Sequence, residues 1–157
     1  MQTNNDMAMR TKTTMAMIKI KIMRMVSTGL MMTTTTANAV GVYRHLEFVR
    51  QCLRPDMDVQ LISATDSWAQ FAVAGPNARR VLQELVDPQH DISNEGFPFM
   101  ACGAISVCGD VPARLFRISF SGELAYEIAV PARYGDSMIR ALMAAGEPWG
   151  ITPYGTE

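Results

Sequence analysis

Leu124-Ala125-Tyr126-Glu127-Ile128-Ala129-Val130-Pro131 carries the clearest periodicity in the chain. Its large apolar residues, Leu124, Tyr126, Ile128 and Val130, alternate with Ala125, Glu127 and Ala129. A period of two sends the two sets to opposite faces of a strand, so residues 124–130 are expected to form a half-buried strand. Just upstream, Gly109-Asp110 separates the apolar segments 105–108 and 113–119. That dipeptide suits a tight hairpin turn between two strands. Pro112 donates no ladder hydrogen bond, so the second strand starts there or lies at an edge. Earlier still, residues 59–64 and 68–74 read as two strands joined by Thr65-Asp66-Ser67, a second hairpin.

Helical spacing separates these strands. Val42, Leu46, Val49 and Leu53 predict a helix over 38–54, closed by Pro55. Gly75-Pro76 opens a second helix with Val81, Leu82, Leu85 and Val86 as its buried stripe and Asp87-Pro88 as its stop. After Pro131, the residues Tyr134, Met138, Ala141, Leu142 and Ala145 predict a third helix, stopped by Gly146 and Pro148. Helices interleaved with hairpins indicate an α+β fold, an antiparallel or mixed sheet with helices packed on one face. The stretch from Trp149 to Glu157 is apolar and aromatic and reads as the approach to a further element, which suggests truncation.

Charge divides the chain at about residue 32. The 157 residues hold 14 Lys+Arg against 15 Asp+Glu, with 48% hydrophobic and 18% charged residues. Residues 1–32 nevertheless contain all three Lys, nine of the 13 Met and a net charge of +4, leaving −5 for the rest. The near-neutral total gives no electrostatic reason to expect nucleic acid, and no apolar run is long enough to span a bilayer. The Lys- and Met-rich leader is open to three readings: an upstream extension foreign to the fold, a divergent strand carried by Ile18-Lys19-Ile20-Lys21-Ile22, or a targeting segment. Three irregularly spaced cysteines, Cys52, Cys102 and Cys108, fit neither a disulfide scaffold nor a zinc ligand set, and a cytoplasmic setting is expected. Walker, dinucleotide-binding and nucleophile-elbow motifs are missing from the sequence.

Two segments carry candidate chemistry. Glu123 follows the small turn Ser121-Gly122. There an ionised carboxylate could accept two parallel N–H groups from a flat heterocycle, although a turn Glu is more often simply solvated. Phe116, Phe120 and Tyr126 could wall such a ring, and strand aromatics are more often core. Thr33-Thr34-Thr35-Thr36 with Asn38 could line a polar wall, while capping of the first helix by Thr36 or Asn38 is the commoner role.

Taken together, Thr33-Thr34-Thr35-Thr36-Ala37-Asn38-Ala39, the run from Trp68 to Pro76, Phe97-Pro98-Phe99-Met100, the block from Ser119 to Pro131 and Thr152-Pro153-Tyr154-Gly155-Thr156-Glu157 resemble a known family. They are similar to the folate-binding, aminomethyltransferase-like region of the α subunits of heterotetrameric sarcosine oxidases. The glycine-cleavage T-protein and dimethylglycine dehydrogenase share the broader fold. The resemblance runs from about residue 30 to the end, which divides the chain into a leader, 1–32, and a partial domain, 33–157.

The resemblance implies a part in oxidative demethylation of sarcosine to glycine, with the one-carbon unit passed to tetrahydrofolate and hydrogen peroxide formed. It further implies β, γ and δ partner subunits, with flavin and NAD held by those partners or by regions beyond this chain. Carried over residue by residue, it assigns pterin recognition to Glu123, stacking to Phe116, where relatives often carry Tyr, and a place in the folate site to Tyr126, Thr36 and Asn38. Relatives carry a catalytic Asp upstream of the Thr run, and residues 1–32 offer no matching segment. The alternatives are a stand-alone aminomethyltransferase and a non-catalytic remnant or subunit-contact module. A truncated domain should also leave the apolar faces of its sheet and last helix uncovered.

Overall fold

The computed structural model of the chain describes residues 7–11, 21–24, 30–119 and 122–155. They belong to two compact bodies, one built from residues 1–12 and 67–157, the other from 13–66. In chain order the elements are β1 (Met7–Thr11), β2 (Lys21–Arg24), β3 (Leu30–Thr33), α1 (Ala39–Phe48), β4 (Trp68–Ala74), α2 (Ala78–Gln83), β5 (Cys102–Val107), β6 (Val111–Phe116), β7 (Ala125–Pro131), α3 (Gly135–Gly146) and β8 (Ile151–Tyr154).

The larger body is α+β. Its six-stranded sheet has the order β5-β6-β7-β4-β1-β8 and is antiparallel except for the β1–β8 pair. Helices α2 and α3 pack on each other and against β7, covering one face. Phe71 and Val73 of β4, Leu115 of β6, and Tyr126, Ile128 and Val130 of β7 meet Val81, Leu82, Met138 and Leu142 of the helices in one core. Val73, Leu82, Leu115, Ile128 and Leu142 have no exposed surface. Each fully buried aliphatic side chain of this kind contributes about 1.5–3 kcal/mol.

Strand β7 lies between β4 and β6 with all of Ala125–Val130 buried, whereas the alternation predicts burial of one set only. Its second face carries small residues, Ala125 and Ala129, and Glu127, and these are buried as well. The β5–β6 hairpin forms as expected around Gly109. Cys108, Gly109 and Asp110 all have positive φ, of 53°, 77° and 72°. Pro112 sits near the start of β6, beyond the part of that strand paired with β7. Asp87 braces the turn, its carboxylate accepting from the Gly109 and Asp110 amides at 2.9 Å each.

Three expectations are corrected. Residues 59–64 form no strand, and residues 65–67 are a 3-10 turn that leads directly into β4. The partners of β4 are β7 and β1, so the 59–74 hairpin does not form. Helix α2 ends at Gln83, well before Asp87-Pro88, because Val86 bridges Val107 and Cys108 donates its amide to the Leu85 carbonyl, drawing the chain toward the sheet. Last, the terminal segment is itself an element: Ile151–Tyr154 pairs in parallel with β1. Gly146 permits this approach, since a Cβ there would lie 2.5 Å from that of Ile151.

The smaller body holds the antiparallel pair β2–β3, with Ile22 opposite Met32, and helix α1. Of the alternating segment 18–22, Lys21 and Ile22 are in β2, and residues 18–20 lie outside the described residues. Helix α1 follows a 3-10 turn, Thr36–Asn38, and runs into a π turn, Val49–Leu53. No residue of α1 is buried, and Val40, Phe48, Leu53 and Ile62 are exposed. Most of the exposed large apolar residues therefore fall in this body, Phe99 and Met100 of the larger body being exposed as well, while α3 buries Met138 and Leu142.

Candidate functional site

Sheet register sorts the candidate residues by face. Phe116 of β6 is opposite Glu127 of β7, and Glu127 is opposite Ala72 of β4. Two residues further along, Arg114, Ala129 and Gln70 form the next row on the same face. Gln70, Arg114, Phe116 and Glu127 thus share the face away from α2 and α3, because β7 side chains alternate and Tyr126, Ile128 and Val130 belong to the helix-side core.

On that face a carboxylate is out of water. Glu127 is 8% exposed and accepts a hydrogen bond from the Gln70 amide Nε2, a diagonal contact between neighbouring strands. Such a group is stable where N–H donors meet its oxygens. Arg114 lays its guanidinium 4.1 Å from the centroid of the Trp68 ring, and burial pulls its pKa below the ordinary arginine value. Phe116 is 1% exposed. An anion, a cation over an indole and a buried aromatic ring therefore share one sheet face.

Tyr126 belongs to the opposite face. It is fully buried, and its hydroxyl accepts from Arg79 Nε at 2.8 Å, while the same guanidinium reaches Asn94 Oδ1. Tyr126 and Phe116 consequently lie on opposite faces of the sheet, so the two cannot wall one ring together. Glu123 lies on the bend before β7, partly exposed, after Gly122 with φ 93°. Gly122 donates its amide to Ser119 Oγ at 2.8 Å, and Leu124 accepts from Gly75 at 2.8 Å, so both sides of the Glu123 turn are pinned. Phe120 and Ser121 lie outside the described residues.

Thr36 and Asn38 belong to the smaller body. Asn38 is at the N-cap position of α1 but makes no side-chain cap bond; its Nδ2 donates instead to Thr35 Oγ1 at 3.2 Å. The capping role expected for Asn38 is therefore not taken up. In the same run Thr34 Oγ1 is buried without a hydrogen-bond partner among the described residues.

Sequence reasoning missed Glu127 and Gln70. Glu127 was visible only as the polar member of an alternating strand, and Gln70 as one polar residue in the β4 run; burial and register distinguish them. A separate apolar cleft of about 220 Å³ between the β5–β6 turn and α3, lined by Val107, Cys108, Val111, Tyr134 and Met138 among others, contains none of the candidates. Among the described residues, no three His, Cys, Asp or Glu groups cluster closely enough to hold a metal ion, and no helix is long and apolar enough to cross a membrane.

A model of the GCVT N-terminal domain matches residues 7–157. The chain is 58% identical over 127 residues to sarcosine oxidase subunit alpha of Rhizobium meliloti (strain 1021), covering 80% of this chain and 13% of that one. It is 43% identical over 135 residues to sarcosine oxidase subunit alpha of Corynebacterium sp. (strain P-1), covering 86% and 14%. The chain thus spans 13–14% of the length of these relatives. Among solved structures, its fold resembles a chain of heterotetrameric sarcosine oxidase from Corynebacterium sp. U-96 in complex with pyrrole 2-carboxylate, with a TM-score of 0.57, 16% identity, and coverage of 78% of this chain and 56% of that one.

Proposed function

The chain belongs to the GCVT N-terminal domain family, and from that membership we propose that it is the folate-binding part of a sarcosine oxidase α subunit. The whole assembly oxidatively demethylates sarcosine to glycine, forms hydrogen peroxide and transfers the one-carbon unit to tetrahydrofolate. Tetrahydrofolate supplies the nucleophilic nitrogens that take up that carbon. Flavin and NAD belong to regions beyond this chain or to the β, γ and δ partners, and the assembly is cytoplasmic.

The observation that carries the reading is the buried Glu127 carboxylate on the sheet face opposite the helices. A pterin presents adjacent amino and ring N–H donors, and a carboxylate accepts two such donors side by side. Glu127 takes this role, with Phe116 beside it on β6. Glu123, on the turn four residues earlier, contributes at the rim. Thr36 and Asn38 are proposed near the folate on the family resemblance alone, and Tyr126 acts from behind the sheet as packing for β7. Isothermal titration with folinic acid, a stable tetrahydrofolate analogue, tests the assignment. Saturable binding weakened at least tenfold in Glu127→Gln and less than threefold in Glu123→Ala is the expected pattern. Equal binding by Glu127→Gln and the parent chain would overturn it.

A further inference from the structure

Strand β5 is an edge of the sheet, and its outer side is covered only in part. Antiparallel pairing with β6 sets the parity: Ser106 stands opposite Pro112, which has no amide to give, and turns its own backbone outward. There the preceding segment closes the edge, Asp87 donating to the Ser106 carbonyl at 3.1 Å and the Ser106 amide donating to His90 Nε2 at 2.9 Å. By the same parity Cys102 and Ala104 turn their N–H and C=O groups outward, and among the described residues nothing bonds them. Strand β5 carries no charge and no proline, the usual guards of an open edge, and Ala104 is exposed.

A second observation falls at the same place. Phe99 and Met100, 60% and 44% exposed, are the exposed large apolar residues among those described in the larger body, and they sit on the turn that enters β5. Ala101 donates to the Pro98 carbonyl at 2.8 Å, while Arg117 accepts from Met100 and donates to the Ala101 carbonyl, at 2.9 Å each. Met100 and Ala101 thus face Arg117 together as a bulge, and Met100 has a φ of 70° where glycine is the usual residue. A methionine there strains the backbone and puts an apolar side chain in water, and contact with a partner offsets both costs.

We propose that the Cys102–Ala104 edge and the Phe99-Met100 turn form an interaction surface for a second copy of this chain, joined β5 to β5. An antiparallel edge is complementary to itself. About a twofold axis at Gly103, Cys102 of each copy meets Ala104 of the other, and each such pair exchanges both N–H···O bonds. The small side chains of Gly103 and Ala104 leave the seam open, and uncharged β5 brings no like charges together. Pairing ends at Ser106, whose outward groups are already taken. The proposal is independent of the folate reading.

The test is sedimentation velocity of the full 157-residue chain in reducing buffer, comparing the parent with Ala104→Pro, Met100→Gly and Ile62→Ser. The parent should form a reversible dimer, half-associated at roughly 10–100 μM because the interface is small. Ala104→Pro removes an outward N–H and no bond to β6, and should weaken the dimer at least about tenfold. Met100→Gly should weaken it about fivefold or more, while its urea midpoint in dilute solution is no lower than the parent's, since glycine suits that φ. A purely structural role for Met100 would not separate those two readouts. Ile62→Ser, a change at an exposed residue of the smaller body, should leave the dimer within about twofold of the parent. If Ala104→Pro fails to fold, Met100→Gly decides alone. A parent that stays monomeric up to about 500 μM, a dimer untouched by the β5 variants, or one weakened as much by Ile62→Ser overturns the proposal.

Discussion

Tyr126→Phe isolates the consequence of the face assignment. The substitution removes one oxygen from a side chain with no exposed surface, leaving the ring in the core formed with Val81, Leu82 and Ile128. What is lost is the acceptor for Arg79 Nε, 2.8 Å away. A hydrogen bond from a charged donor contributes about 1.5–3 kcal/mol, and Arg79 is partly exposed, so water recovers some of that; a loss of about 1.5 kcal/mol is expected. For a body of this size that corresponds to a fall in Tm of about 6–12 °C. The assay is urea unfolding at pH 7, where the midpoint should drop with an unchanged slope, combined with folinic acid titration below the transition. Affinity should remain within about twofold of the parent, a loose bound on coupling between residues on opposite faces. Unchanged stability together with a tenfold weaker affinity would refute the face assignment and return Tyr126 to the ligand.

Three further outcomes follow from packing and charge. Gly146→Ala places a Cβ 2.5 Å from that of Ile151 and should cost about 1–3 kcal/mol by overpacking, read as a lower urea midpoint; a neutral result would mean that β8 is not seated there. Hydrogen bonds from the Ser106 hydroxyl and the Asp110 and Gly109 amides hold the Asp87 carboxyl below the ordinary carboxylate range. Because the folded-state value is depressed, the stabilisation is present at neutral pH and lost as pH falls through the acid range below about 4. The melting-temperature gap between the parent and Asp87→Asn should therefore close on acidification from pH 6 to 3. Burial, then the Asp87 charge, pushes the Cys108 thiol above its ordinary value, so alkylation by iodoacetamide at pH 8 should be slow there and faster in Asp87→Asn, as followed by mass spectrometry of the Cys108 peptide.

Much of the larger body was legible from local pattern. The alternation in β7, the Gly109 turn and the spacing of Met138 and Leu142 in α3 are each set by near neighbours in sequence, and each appears in the fold. Segments whose structure depends on distant partners were not legible. β1 is an inner strand because β4 and β8, respectively far along the chain and at its end, flank it; nothing in Met7–Thr11 announces that. Residues 59–64 look strand-like because they are apolar, but β4 pairs elsewhere and leaves them without a partner.

The candidate site divides in the same way. Alternation shows that Tyr126 and Glu127 face opposite ways, yet only helix placement says which of those faces is the core. The carboxylate in the turn, Glu123, was conspicuous because glycine precedes it. Glu127 looked like the solvated side of an amphipathic strand until its neighbours on β4 and β6 were known to bury it.

The claim on which the rest depends is that the buried carboxylate of β7 recognises a folate. Isothermal titration of folinic acid into the parent chain and Glu127→Gln, with matched melting curves, measures it directly. The account predicts saturable binding to the parent and at least a tenfold loss in the variant, which keeps shape and removes the charge. No binding by the parent, or the same affinity in both, would contradict it.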